Sequence, residues 1–448
     1  MSASGFSFSQ AQLREIASDI LAHARKQGAT ACETEVSEGF GQSVSVRKAE
    51  VDTIEYNRDK GVGVTVYLGQ QRGHASTSDF SPAALRATVD AALSIARFTA
   101  ADPCAGLADA ELMADPAQLP ELDLFHPWAI EVEEAIELAR RCEAAAFAVS
   151  PQISNSEGAS ASLQQGQFVA ANSHGFMGGY ASTHHGLSCS VIAGSDDQMQ
   201  REYWYDSRRD AAELLAAEEI GRIAGERALA RLGGRQIATA EVPVLFEAPI
   251  AAGLINSFVH AASGGALYRQ ASFLPDSIGK QIFSPLVNIS EQPHLRRRFG
   301  ARPFDSDGLA TRARQVVSDG VLQGYFLSTY SGRKLGMPST ANAGGAHHLI
   351  VQPGEQDLTD LLREMGRGLL VTELLGQGVN YVTGDYSRGA AGFWVEHGEI
   401  QHAVEEITIA GNLRDMFRDI RAIGNDALPR AARQCGSILI ERMKIAGH

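Results

Sequence analysis

Cysteine is scarce in this sequence: Cys32, Cys104, Cys142, Cys189 and Cys435 are five among 448 residues, with no Cys-x-x-Cys spacing. An odd number without a framework excludes a disulfide scaffold and points to reduced thiols in a reducing compartment. None of the thirteen histidines is followed by glutamate. Zinc-protease signatures built on His-Glu are therefore absent, and with them the ligand and adjacent general base that such chemistry needs. There is no Gly-x-x-x-x-Gly-Lys-Ser/Thr loop for phosphates and no Gly-x-Ser-x-Gly nucleophile elbow. Positive charge is in deficit, with 39 Lys and Arg against 53 Asp and Glu and a formal net charge of −14. That balance argues against direct nucleic-acid binding, which rests on phosphate neutralisation. The one basic cluster, Arg296, Arg297, Arg298 and Arg302 with Arg312 and Arg314 beyond, reads as a solvated loop or subunit contact. No uninterrupted apolar run reaches the length of a membrane span, and no basic segment followed by an apolar stretch opens the sequence. The expectation is a cytoplasmic protein without a membrane partner.

What is present suits a folded chain with room for two full cores. Hydrophobic residues make up 44% and charged residues 21%, a globular balance. Ser9 with Gln12 forms a capping-box signature, Leu13 to Ala24 repeats at helical spacing, and Gly28 is a stop. Alternation over 42–47 and 61–67 predicts strands. Ser81-Pro82 opens a second helix. A third has its apolar stripe at Ala135, Leu138, Ala139, Cys142 and Ala146. Strands follow near 166–172, 187–193 and 200–205, then a long helix over 210–232. Gly233-Gly234 is the expected boundary. The reading is an α+β fold of two domains: residues 1–234 as an N-terminal α+β domain and 235–448 as a C-terminal β-rich domain with a curved antiparallel sheet or partial barrel. In the second half Asp319-Gly320 and His397-Gly398 resemble hairpin turns. Only the segments near 249–262, 357–367 and the stretch before Cys435 look helical.

Several candidate sites have a blander explanation. His397 and His402 flank Glu399, but a hairpin there need not bring the imidazoles together. His184-His185 and His347-His348 are adjacent pairs, and neighbours on a strand face opposite ways. Asp305-Ser306-Asp307-Gly308 begins like a calcium loop and lacks its closing glutamate, so turn chemistry explains it better. Tyr381, Tyr386, Phe393 and Trp394 suit a core better than a groove.

Five blocks of the second half point to one family: Ser263–Leu274 (SGGALYRQASFL), Ser328–Gly336 with Thr340–Gly345, Gly384–Trp394 (GDYSRGAAGFW), Val404–Leu413 and Gly436–Ile440. They resemble the TldD/PmbA family, the modulators of DNA gyrase, and most of all its PmbA (TldE) branch. The patterns at Arg47–Tyr56 and Gly61–Val66 agree, so the resemblance covers nearly the whole chain. It implies a PmbA-like subunit that pairs, as a heterodimer, with a TldD-like protease subunit. The TldD-like subunit carries His-Glu-x-x-x-His on a helix, binds a metal, expected to be zinc, and cleaves unfolded peptides, with roles in microcin precursor maturation and antitoxin turnover. On the corresponding helix of this sequence, Asn256, Ser257 and Ala261 stand where the first His, the Glu and the second His belong. Using His260 instead does not help, because Ala261 follows it and Gly265 stands five residues on. No catalytic or metal residue is therefore assigned, no cofactor is expected in this chain, and the substrate-binding residues are unknown. In isolation the chain is expected to be able to form a homodimer. Two other readings stay open: a metallopeptidase active on its own through unrecognised ligands, and a non-enzymatic modulator that binds DNA gyrase.

Overall fold

A computed structural model describes residues 5–447. Its first half runs α1 (Gln10–Lys26), β1 (Ala31–Arg47), β2 (Glu50–Leu68), β3 (Gln71–Thr77), α2 (Pro82–Phe98), α3 (Val132–Val149), β4 (Ile153–Asn172), β5 (Met177–Ala193), β6 (Gln200–Arg208) and α4 (Ala217–Ala230). The six strands form one antiparallel sheet in the order β3-β2-β1-β4-β5-β6. Ser9 caps α1 through the expected reciprocal bonds with Gln12, and Ser81 caps α2.

Period-2 burial assigns the sheet's two faces. Along β1 the residues Cys32, Thr34, Val36 and Glu38 are buried and their neighbours less so. Val36, Val62 and Val64 pack beneath Leu13, Ala17 and Ile20 of α1 and Val89 and Leu93 of α2. Val44, Val46 and Val191 pack beneath α3 and α4 at Ala139, Cys142, Ile220 and Ala224. All four helices thus cover one face, and β1 turns Glu33, Glu35 and Ser37 to the other.

The second half runs β7 (Ala240–Phe246), α5 (Ala248–Ala261), α6 (Gly264–Tyr268), β8 (Ile289–Glu291), β9 (Arg314–Ser318), β10 (Val321–Leu322), α7 (Thr329–Leu335), β11 (Leu349–Val351), α8 (Leu358–Met365), β12 (Gly368–Leu375), β13 (Asp385–Glu396), β14 (Glu399–Asn412), α9 (Leu413–Arg418), β15 (Ile420–Ile423), β16 (Arg433–Gln434) and β17 (Ile438–Ala446). Strands β14-β13-β12-β7-β17 follow one another, and β14 pairs β17 through Thr408↔Ala446 to Ala410↔Lys444. The expected curved sheet is thus a closed five-strand barrel, with β12 and β7 its one parallel pair. A smaller sheet, β10-β9-β8-β11-β16, packs beside it. Asp319-Gly320 and His397-Gly398 do form the tight turns, each with positive φ at both residues, as two-residue hairpins of this hand require.

Two helix predictions need correction. The long helix expected over 210–232 begins only at Ala217. Asp210 spends its carboxylate on the Ala212 N–H, and the Leu215 N–H donates to Asp206 on β6, so the first residues are tied to the sheet instead. Before Cys435 only Leu413–Arg418 is helical, because Ile420–Ile423 joins β17 as a strand. The short helices α6 and α7 were not expected.

Candidate functional site

Helix α5 follows β7 directly, with Pro249 in its first turn. Its buried face is Ala251, Leu254, Ile255, Phe258 and Ala261, as its sequence spacing predicts. This places the three family positions individually. Asn256 is exposed. Ser257 is buried, and its Oγ donates to the Gly253 carbonyl at 3.1 Å. Ala261 is fully buried and has no donor atom. His260 is exposed and its ring lies against Tyr381, centroid to centroid 4.0 Å. These residues do not fit a metal: one amide, with one imidazole a helical turn further on, offers too few ligands. Among the described residues no group of three His, Cys, Asp or Glu could hold a metal ion.

The two adjacent histidine pairs have structural partners. His184 bonds Ser207 at 2.5 Å and lies tilted against Phe299, while His185 bonds the His126 carbonyl at 2.7 Å. His347 and His348 diverge, to the carbonyls of Ala341 and Phe299. Burial pushes all four imidazoles below the usual histidine range. His397 sits in the hairpin turn and His402 on β14 opposite Trp394. Tyr386 and Trp394 are core, as expected.

The basic cluster is solvated in part, with the Arg296 side chain 68% exposed, and is also paired. Arg297 reaches Asp123 at 2.6 Å and Glu213 at 2.9 Å, Arg296 reaches Asp123, and Arg314 reaches Glu291 at 2.7 Å. These pairs tie the second half to the first and to itself.

The open face of the first sheet and the loop around Ser306 and Asp307 enclose a groove. It consists of three cavities of ≈ 840, ≈ 640 and ≈ 850 Å³ that share lining residues. Glu33 and Asp307 line the first two; Glu35, Lys60 and Ser306 line the first and third. Burial raises the Glu33 carboxyl, opposed by a hydrogen bond from the Tyr67 hydroxyl at 2.9 Å, and the charge of Asp307 raises it further. Burial also raises Glu35, with Arg302 opposing. At the rim Asp102 accepts from Tyr330 at 2.7 Å and Lys334 at 2.9 Å, which together hold its carboxyl down at about 2.

The Asp305 loop is a turn, as its sequence suggests. Asp305 accepts the N–H groups of Asp307, Leu309 and Ala343. Burial, then the charge of Asp307, nevertheless raise its carboxyl to about 7. The folded protein then keeps a proton that an unfolded aspartate, near 3.9, has lost. Stability should therefore fall as pH rises from about 4 to about 7 and level off above. Asp305→Asn cannot titrate; urea midpoints of the two proteins across this range should diverge in the variant's favour. Parallel curves would count against the shift.

Sequence reading missed the groove. Its signal was small: Glu33 and Glu35 at period two on one face of β1, alternating with Cys32, Thr34 and Val36. The long-range approach of Asp307 and Arg302 left no local trace.

PmbA/TldA metallopeptidase models match the chain in three pieces: domain 1 over 32–96, the central domain over 125–232 and the C-terminal domain over 239–447. The chain belongs to the PmbA/TldD metallopeptidase family. Within it, the chain is similar to Metalloprotease PmbA of Escherichia coli O157:H7, 48% identical over 427 residues covering 95% of this chain and 94% of the relative. The Metalloprotease PmbA homolog of Haemophilus influenzae is 47% identical over 438 residues, 98% of this chain and 96% of the relative. A crystal structure from Bacteroides thetaiotaomicron, named as a modulator of DNA gyrase, superposes with a TM-score of 0.93 at 26% identity, covering 98% of this chain and all of that one.

Proposed function

We propose that this chain is the PmbA-type subunit of a peptide-degrading metalloprotease complex and does not itself hold the metal. A TldD-type partner supplies the metal, expected to be zinc, and the complex processes unfolded peptides such as a microcin precursor or an antitoxin in the cytoplasm. The observation that carries this reading is α5: Asn256, Ser257 and Ala261 offer no ligand set and no general base. The groove supports a peptide substrate, because it is long, polar and floored by strands. Among the described residues no helix is long and apolar enough to cross a membrane.

The test is a peptidase assay on an unstructured peptide with this chain, with a TldD-type protein, and with both. Hydrolysis is expected only from the mixture, to be unaffected by His260→Ala here, and to vanish on chelation. Chelator-sensitive hydrolysis by this chain alone, with stoichiometric metal, would favour the self-sufficient metallopeptidase. Salt-independent capture of DNA gyrase by the chain would favour the non-enzymatic modulator.

A further inference from the structure

The groove floor carries four glycines that the protein's own packing does not require. Gly39 pairs with Gly166, while Gly61 and Gly63 pair with Ser37 and Glu35 across β1 and β2. A Cβ added at any of them meets no atom nearer than 3.5 Å, and none has a positive φ. Glycine weakens a strand interior and often marks close approach of another backbone. What these four supply is open space above the sheet.

The two ends of this floor carry carboxylates and guanidinium groups without ion pairs among the described residues, beside further charges of both signs. Arg72 and Lys334 also line the first end, and Glu35, Asp59 and Asp305 the second. At one end, Glu33 and Asp307 make no ion pair among the described residues. Tyr67 donates to Oε1 of Glu33 and the Thr329 N–H donates to Oδ2 of Asp307 at 2.8 Å, so each carboxylate keeps one oxygen without a hydrogen-bond partner among the described residues. Thr329 is 9% exposed, lines the same cavity, and its Oγ1 has no hydrogen-bond partner. At the other end, Arg209 and Arg302 line the third cavity, and neither meets a carboxylate within ion-pair distance among the described residues. Arg209 donates to the Thr183 carbonyl at 2.8 Å, while its buried Nε has no partner. Glu35 lines the first cavity as well.

We propose that the groove holds a short peptide with both termini free, its ammonium group at Glu33 and Asp307 and its carboxylate at Arg209 and Arg302. This rests on the peptide-handling reading above and names the size and end groups of the ligand. Guanidinium groups suit a carboxylate because their planar fork matches its two oxygens. The floor from Glu33 to Gly39 is about 20 Å long at ~3.4 Å per residue, the span of an extended peptide of about six residues. Since the floor meets backbone and the ends meet termini, side-chain sequence matters little.

The experiment is calorimetric titration of the full chain, alone, with an alternating alanine–serine hexapeptide in free, N-acetylated and C-amidated forms. Blocking either end should weaken binding about tenfold or more, the range of a charge-assisted hydrogen bond. Glu33→Gln and Asp307→Asn should make binding insensitive to acetylation, and Arg302→Gln insensitive to amidation. Gly63→Val should abolish binding with the melting temperature preserved, since valine suits a strand and a Cβ there meets no atom nearer than 3.5 Å. Equal affinity for free and blocked peptides, no binding of the free hexapeptide at millimolar concentration, or wild-type binding by Gly63→Val would each overturn the proposal. No hydrolysis and no partner enter this assay, so its failure is separable from failure of the protease-complex reading.

Discussion

Phe258→Ala should destabilise the protein by about 3–5 kcal/mol, the range for truncating a fully buried phenylalanine. Phe258 is fully buried at the centre of the largest core. Its ring meets Phe283 edge-on at a centroid distance of 5.2 Å and Phe326 at 6.1 Å, and Phe283 in turn stacks on Phe417 of α9 at 4.5 Å. Alanine would remove the knob that joins α5 to segments far along the chain and leave a cavity among rings too large to collapse into it. Urea unfolding should show an earlier midpoint with little change in slope. A loss below about 1 kcal/mol would mean that the neighbours repack, contrary to the close-packed cluster seen.

Glu291→Ala should cost about 3–5 kcal/mol, as removing one partner of a buried ion pair does. Glu291 is 1% exposed. Its Oε2 accepts from Arg314 at 2.7 Å, and its Oε1 accepts from Asn342 Nδ2 and the His347 N–H, both at 2.8 Å. Thr340 completes the network by donating to Asn342 Oδ1 at 2.7 Å. Alanine leaves the Arg314 Nε and the His347 N–H without their acceptor at once. Glu291→Gln keeps an acceptor for some of these donors and should cost about 1–2 kcal/mol, nearer the value of single hydrogen bonds. Similar losses for the two variants would show that the charge, not the number of acceptors, matters.

Two of the family blocks carry parts of this kind of bonding: Asn342 in Thr340–Gly345 bonds Glu291, and Ser328 and Ser331 in Ser328–Gly336 cap α7 reciprocally. Local periodicity located α1, α2, α3 and α5, since each buries an i, i+3, i+4 stripe whatever surrounds it. The misses have a common cause. The 210–216 stretch has helical composition but is held by Asp206 and Asp210, and closure of the barrel depends on β14 meeting β17. The groove was hidden for the same reason, since Glu33 and Asp307 are brought together only by the tertiary fold.

The barrel imposes an order of events on synthesis. Strand β7 takes β12 as one neighbour and β17 as the other, and β17 is also the strand that meets β14. Residues 240–246 must therefore wait for residues 438–446 to be made before both their edges are covered. The first sheet has no such delay, since all its strands lie before residue 209. It can pair while the ribosome is still translating the second half, as chain halves made first generally do. Until β17 arrives, the exposed edges of β7 and β14 are where the nascent chain is open to mispairing.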